Sequence, residues 1–175
     1  MGKRDRKRAA AAKPTHLQPL LDEIDCAFDG VPPPDADHRT LRQAEAWDGY
    51  VLVDQRRDHK GRWQDLSLQE LLACPNALPH LDAQGIHYYL PAIMCADLRE
   101  RGRLGWLSTS LRYTLQPRTG DLKRYQRQRF QPLTAPQRAA ICGFVVHIDA
   151  DVAVQDAWRR VVAAGDDRGW FRRFY

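Results

Sequence analysis

Two short stretches of this 175-residue chain carry side chains whose types and spacing could do chemistry. The first is His147, Asp149 and Asp151. In extended backbone a period of two places all three on one face, as a hard-cation or hydrolase site requires. Apolar residues on both sides recur at helical spacing instead. The two aspartates then read as caps at a break between helices, with His147 a partly buried helix residue. The second stretch is Asp54, Asp58 and His59 in VDQRRDHKGRW. It has no second histidine at a ligating interval and reads as a turn closed by Gly61. No GxSxG, HExxH, phosphate-loop or dinucleotide glycine pattern occurs. Cys26, Cys74, Cys95 and Cys142 stand singly in apolar stretches, without a CxxC partner. They read as small buried hydrophobes carrying reduced thiols. The expectation is a protein that is not an enzyme, with no catalytic residue, no metal and no cofactor.

Binding is the other chemistry on offer, and it turns on where charge sits. The chain carries 27 basic and 22 acidic side chains, a net +5. Residues 1–13 hold Lys3, Arg4, Arg6, Lys7, Arg8 and Lys13 against Asp5, which is already +5. The other 162 residues therefore balance at 21 of each sign. Basicity belongs to the N-terminal arm, which will draw polyanions weakly and in a salt-sensitive way. Within the neutral remainder the charge is uneven. Asp22, Glu23, Asp25, Asp29, Asp35 and Asp37 follow one another with no Lys or Arg between them. Residues 99–129 hold nine basic side chains against Glu100 and Asp121. Near the end of that segment Lys123, Arg124, Arg127 and Arg129 interleave with Tyr125 and Phe130. Interleaving of this kind can track phosphates and stack bases, but with the domain neutral overall a solvated loop or helix face balancing the acidic segment is the favoured reading. At the C-terminal end Trp170 and Phe171, with Phe174 and Tyr175, either tuck into the core or anchor a protein partner.

The elements that must position these groups are helical. HLQPLLDEIDCAF spaces Leu17, Leu20, Leu21, Ile24 and Phe28 for one helix face, and the prolines of GVPPPDAD end it. Thr40–Gln43, Ser67–Glu70 and Thr134–Gln137 each fit the capping box, in which a hydroxyl and a carboxyl or amide three residues on satisfy two backbone amides reciprocally. Each precedes a run with helical periodicity. Residues 104–117 fit a helix better than a strand, and a last helix follows Asp151 with Val154, Ala157, Trp158 and Val161 on one face. In HYYLPAIMCADLRERG the proline predicts a helix start at Pro91, with His87, Tyr88 and Tyr89 in the entry segment. Both tyrosines read as structural, their hydroxyls hydrogen-bonded. The fold expected is all-α, with five or six helices and at most one short strand pair. It forms a single compact domain over residues 15–175 behind a flexible, disordered basic arm at 1–14.

Tyr88, Tyr89, Leu90, Pro91 and Ala92, followed by Phe130, Leu133, Thr134, Gln137 and Ala140, also carry a resemblance. Together they are similar to a family of small uncharacterised bacterial proteins with a Tyr-Tyr-Leu-Pro-Ala segment and a Phe-x-x-Leu-Thr-x-x-Gln helix start. A looser match runs from about Ile24 to Ile148, leaving out the arm and the end beyond Asp151. The resemblance implies a compact bacterial domain and brings no catalytic residues with it.

With no apolar run of the roughly 20 residues that span a bilayer and no signal-peptide h-region, the expectation is a bacterial cytoplasmic protein with no membrane role. The function expected is a non-enzymatic protein-interaction module with a protein partner. Its concrete version is an immunity or antitoxin-like protein whose acidic 22–37 segment covers a toxin. The alternative is a nucleic-acid-associated accessory protein using the arm and residues 123–129.

Overall fold

In a computed structural model of the chain, the structure describes residues 17–47, 58–149 and 151–164. The arm, Val51 and Asp54, and the aromatic residues Trp170, Phe171, Phe174 and Tyr175 lie outside the described residues. Eight α-helices follow in chain order: α1 Gln18–Ala27, α2 Leu41–Trp47, α3 Leu68–Leu72, α4 Ala83–Arg99, α5 Trp106–Leu115, α6 Gly120–Phe130, α7 Ala135–Ile148 and α8 Val152–Ala163. Two single 3-10 turns, Trp63–Asp65 and Leu78–His80, flank α3. The described residues are thus all helix and connection, with no strand pair, and the five or six helices expected are too few.

All three capping boxes form. The Thr40 amide donates to Gln43 Oε1 at 2.8 Å and the Gln43 amide returns to Thr40 Oγ1 at 3.3 Å. Ser67 with Glu70 starts α3 and Thr134 with Gln137 starts α7 in the same way. Asp149 and Asp151 cap the α7–α8 break as expected. Asp149 Oδ1 accepts the Asp151 amide at 2.9 Å, and Asp151 Oδ1 accepts that of Ala153 at 2.8 Å. His147, expected partly buried, is exposed on the last turn of α7.

The helix start expected at Pro91 is wrong. α4 begins eight residues earlier, where Asp82 accepts the Gly85 amide at 2.9 Å, and Pro91 lies inside the helix. An interior proline removes one hydrogen bond and crowds the preceding turn, at a cost of about 3 kcal/mol. Burial offsets that cost: thirteen of the seventeen residues of α4 are buried, so it is the central rod rather than a half-exposed surface helix. It touches α1, α5, α6 and the Trp63–Asp65 turn. Tyr88 and Tyr89 belong to this rod. Their rings meet edge to face at 4.8 Å, and the Tyr88 hydroxyl donates to the Gly61 carbonyl at 2.8 Å. Burial raises both phenols, that of Tyr89 to about 12. At its far end α4 closes with the Gly102 amide on the Asp97 carbonyl at 2.8 Å and the Arg101 amide on that of Leu98 at 3.3 Å. This paired closure puts Arg101 and Gly102 at φ 55° and 70°.

α6 was absent from the expected elements because its sequence has no apolar stripe. Its inner face is Gln126, Arg129 and Phe130, and both Gln126 and Arg129 use their polar ends on backbone carbonyls. α7 and α8 pack as an antiparallel pair, α1 crosses α7, and Trp158 on α8 donates to the Leu115 carbonyl at 2.9 Å.

Candidate functional site

The acidic segment begins on α1, so this helix sets the geometry. Leu17, Ile24 and Phe28 point inward and are buried, with Leu20 and Leu21 half-buried beside them. That leaves Asp22, Asp25 and, just past the helix end, Asp29 at spacings of three and four residues along one outer face. This face borders a groove of about 420 Å³ between α1, α3, α4 and the Trp63–Asp65 turn. Leu21, Leu66, Leu71, Ala92 and Ala96 form the apolar part of its lining. Asp22 and Asp25 share its rim with Arg62, Arg99 and Glu100, and Leu68 adds an apolar side chain 39% exposed.

Neighbouring amides hold these carboxylates in place. Gln18 donates to Asp22 at 2.7 Å, and Gln64 donates to Asp25 at 2.9 Å. Arg62 pairs with Asp29 at 3.3 Å, both side chains about two-thirds exposed, so the pair orients rather than stabilises. The indole N–H of Trp63 donates to the Phe28 carbonyl at 2.9 Å and pins the turn that carries Arg62 and Gln64 to the end of α1. Cys95 also lines the groove, and burial pushes its thiol up to about 11, which disfavours the thiolate near neutral pH. The same holds for Cys74, also raised to about 11. Cys26, expected to be buried, is exposed.

The six carboxylates do not form one patch. Glu23 turns the other way, toward Gly143 on α7, where a side chain on that glycine would come within 3.6 Å of it. Asp35 accepts the amide of Asp37 at 3.0 Å in the loop before α2. The basic cluster is likewise divided. Lys123, Arg124 and Arg127 are exposed on α6, whereas Arg129 is 6% exposed and donates to the Leu78 carbonyl. Arg129 therefore faces inward and is not available to a phosphate backbone, and Tyr125 is tied through its hydroxyl to the Pro79 carbonyl at 2.9 Å. Asp58 and His59, read as part of a turn, sit at the α3 side. His59 lies 2.9 Å from the Arg62 carbonyl and 3.8 Å from Glu70. No three His, Cys, Asp or Glu side chains among the described residues converge on a metal-sized space. No described helix is long and apolar enough to cross a membrane.

Sequence reasoning found the carboxylates of this groove and missed Gln18, Arg62, Gln64 and Arg99. The helical phase of α1 was legible, but the packing of the Arg62–Gln64 turn and of α4 beside its outer face is long-range in sequence and was not. Once Asp22, Asp25 and Asp29 are assigned one face, whatever packs beside that face becomes part of the site.

A search of curated proteins and one of solved structures each found no match to the chain. A family profile does match, over residues 16–164, which adds α8 and the first part of α1 to the span the resemblance covered. The chain belongs to that family, described as a family of unknown function (DUF6714).

Proposed function

We propose that the chain is a non-enzymatic protein-interaction module whose partner seats on the groove between α1, α3 and α4. One observation carries the reading: an open apolar floor beneath a rim on which Asp22 and Asp25 stand beside Arg62, Arg99 and Glu100. An apolar centre ringed by polar and charged groups is the anatomy of a protein interface. The α1 carboxylates favour a partner that is basic where it meets them, since complementary charge speeds encounter and rejects wrong partners. A toxin acting on nucleic acid carries such a surface. An immunity or antitoxin-like protein of the bacterial cytoplasm, covering that surface, is the concrete form of this proposal.

The test is capture by the tagged full-length chain from nuclease-treated lysate of its own cells, with Asp22→Lys/Asp25→Lys as the comparison. The expected result is one near-stoichiometric protein that the double variant holds roughly tenfold more weakly or worse, with the variant's melting temperature unchanged. Undiminished capture by the variant, or no partner for either chain, overturns the reading.

A second reading, a nucleic-acid-associated protein, rests on Lys123, Arg124 and Arg127 standing exposed on one helix with Asp121 as the only acid of α6. It loses Arg129, which faces inward and is 6% exposed.

A further inference from the structure

Arg129 raises a separate question, because it is a buried cation that pairs with no carboxylate among the described residues. Its guanidinium reaches the Leu78 carbonyl through Nη2 and lies 5.1 Å from the Tyr125 ring, while its Nε–H is buried with no acceptor. Burial draws it down to about 10, so it is still charged at neutral pH. A buried charge is costly, and the carboxylate of Asp82, beyond ion-pair contact, offsets only part of that cost.

Arg129 lines a small cavity of about 160 Å³ between α5, α6 and the Leu78–His80 turn, away from the groove on α1. Arg118 lines it too, stacked 3.3 Å over the Tyr113 ring and donating to the Tyr113 carbonyl. Among the described residues two cations line this space and no acidic side chain does. Thr114, a residue 5% exposed, also lines it, and its buried hydroxyl has no hydrogen-bond partner. Gln126, by contrast, is fully committed: its Nε2 donates to the Thr114 and Gln116 carbonyls and its Oε1 accepts from the Arg118 amide. It therefore serves to hold the α5–α6 connection that carries Arg118.

The walls add shape to this charge. Tyr113, Leu122 and Tyr125 are 49%, 52% and 38% exposed, large apolar side chains gathered round one opening with Pro79. Two planar rings and two guanidinium forks select a flat or short apolar body bearing one carboxylate, which a fork can accept through both oxygens. The volume is below the few hundred Å³ of most organic-ligand pockets, which limits the body to about one ring or a short chain.

We propose that this cavity binds a small organic monocarboxylate, its charge between Arg118 and Arg129 and its apolar body against Tyr113, Leu122 and Tyr125. The same chemistry is presented by a free metabolite or by the terminal carboxylate of a peptide. The proposal is independent of the groove on α1, since the two sites share no lining residue.

The experiment is thermal unfolding and calorimetric titration of the full chain with acetate, hexanoate, benzoate and N-acetylphenylalanine, against the neutral benzamide and the cationic benzylamine. Ligand that binds only the folded state raises the melting temperature by a few degrees once in large excess over its dissociation constant. The expected result is a rise with benzoate, hexanoate or N-acetylphenylalanine and none with benzamide or benzylamine. A preference for benzoate or hexanoate assigns a free carboxylate, and one for N-acetylphenylalanine assigns a peptide terminus. Arg118→Gln, half-exposed and outside the core, is expected to weaken binding roughly tenfold or more, and Thr114→Val to weaken it less while leaving the charge intact. Equal stabilisation by benzamide, binding unchanged in Arg118→Gln and Thr114→Val, or no stabilisation by any carboxylate overturns the proposal.

Discussion

At the scale of single residues, His87 is a group through which the fold ties stability to pH near neutrality. It sits on the α4 rod 6.1 Å from the Phe28 ring, with Nε2 2.9 Å from Gln137 Oε1. That oxygen also accepts the Thr134 amide at 3.0 Å, so it is the acceptor end of the amide and Nε2 of His87 must carry a hydrogen. One capping-box side chain therefore starts α7 and ties it to α4. Burial lowers the proton affinity of His87 below the ordinary value of 6.5, with the Gln137 contact opposing it in part. As pH falls, the unfolded chain takes up the proton first. Above about pH 6.5 the ring is neutral in both states and contributes nothing, and stability declines as pH drops through that value toward the lower folded one. Two carboxylates titrate in a separate, more acidic window. Hydrogen bonds from Ser67 lower Glu70. For Asp82 burial acts upward, and the amides of Gly85 and Arg39 with His38 outweigh it. Their contribution is present above the ordinary values of 4.5 and 3.8 and is lost below them as pH falls through the folded values. Urea unfolding at intervals from about pH 8 to about pH 5 is expected to show wild-type stability falling over this range, and falling less in His87→Gln. Identical slopes in the two proteins would exclude His87 as the cause.

At the scale of elements, the starts of α2 and α4 are one structure. Asp82 caps α4 through Oδ1 to the Gly85 amide, while its Oδ2 accepts the Arg39 amide at 2.9 Å and lies 3.2 Å from His38 Nδ1. The Arg39 side chain returns to the His80 carbonyl at 2.8 Å, and the next residue, Thr40, opens the capping box of α2. This closeness is why residue 85 is glycine. A Cβ there would lie 2.8 Å from the Arg39 carbonyl oxygen and 2.9 Å from Leu81 Cδ2. Gly85→Ala is therefore expected to destabilise by about 1–3 kcal/mol, although alanine is the better helix former by about 1 kcal/mol. Gly143→Ala is the comparison. Its Cβ would meet the flexible end of Leu20 at 3.2 Å and Glu23 Oε2 at an ordinary 3.6 Å, so the same helix preference should leave it within about 1 kcal/mol of wild type. Denaturant midpoints decide the matter, and a Gly85→Ala protein as stable as wild type would show that the 38–40 segment yields freely.

These same elements mark what the sequence disclosed. The three capping boxes were legible because a cap is settled within four residues. The start of α4 was not, because the Leu90–Pro91 rule is also local and burial of the whole rod overrode it. The correct signal, Asp82 three residues before Gly85 and then Ile86, Leu90, Ile93 and Leu98 in helical phase, was present but competed with a proline. Arg129 was misplaced for the opposite reason: its partner, Leu78, lies 51 residues away, and nothing near it in sequence marks it as an inward-facing cation.

At the scale of the whole molecule, charge and fold are separable. The net +5 of the chain is contained in residues 1–13, while the other 162 residues balance. On the domain, some basic side chains are exposed, Lys123, Arg124 and Arg127 on α6 and Arg62, Arg99 and Arg159 elsewhere, while Arg129 and Arg138 are turned inside. Arg138 donates to the Leu133 carbonyl at 2.6 Å. Two sources of polyanion affinity therefore differ in size, six cations in the arm against three on one helix. Removal of residues 1–13 is expected to abolish most retention on double-stranded DNA at low salt, and the slope of log affinity against log salt should fall by several units. A Lys123→Glu/Arg124→Glu/Arg127→Glu chain with the arm intact is expected to lose at most about three of those units. Filter binding or fluorescence anisotropy at about 50 and 200 mM salt separates the two contributions. If the truncated protein keeps its affinity and the α6 variant loses it, the helix rather than the arm is the nucleic-acid surface. The second functional reading would then displace the groove on α1 as the place where this molecule meets its partner.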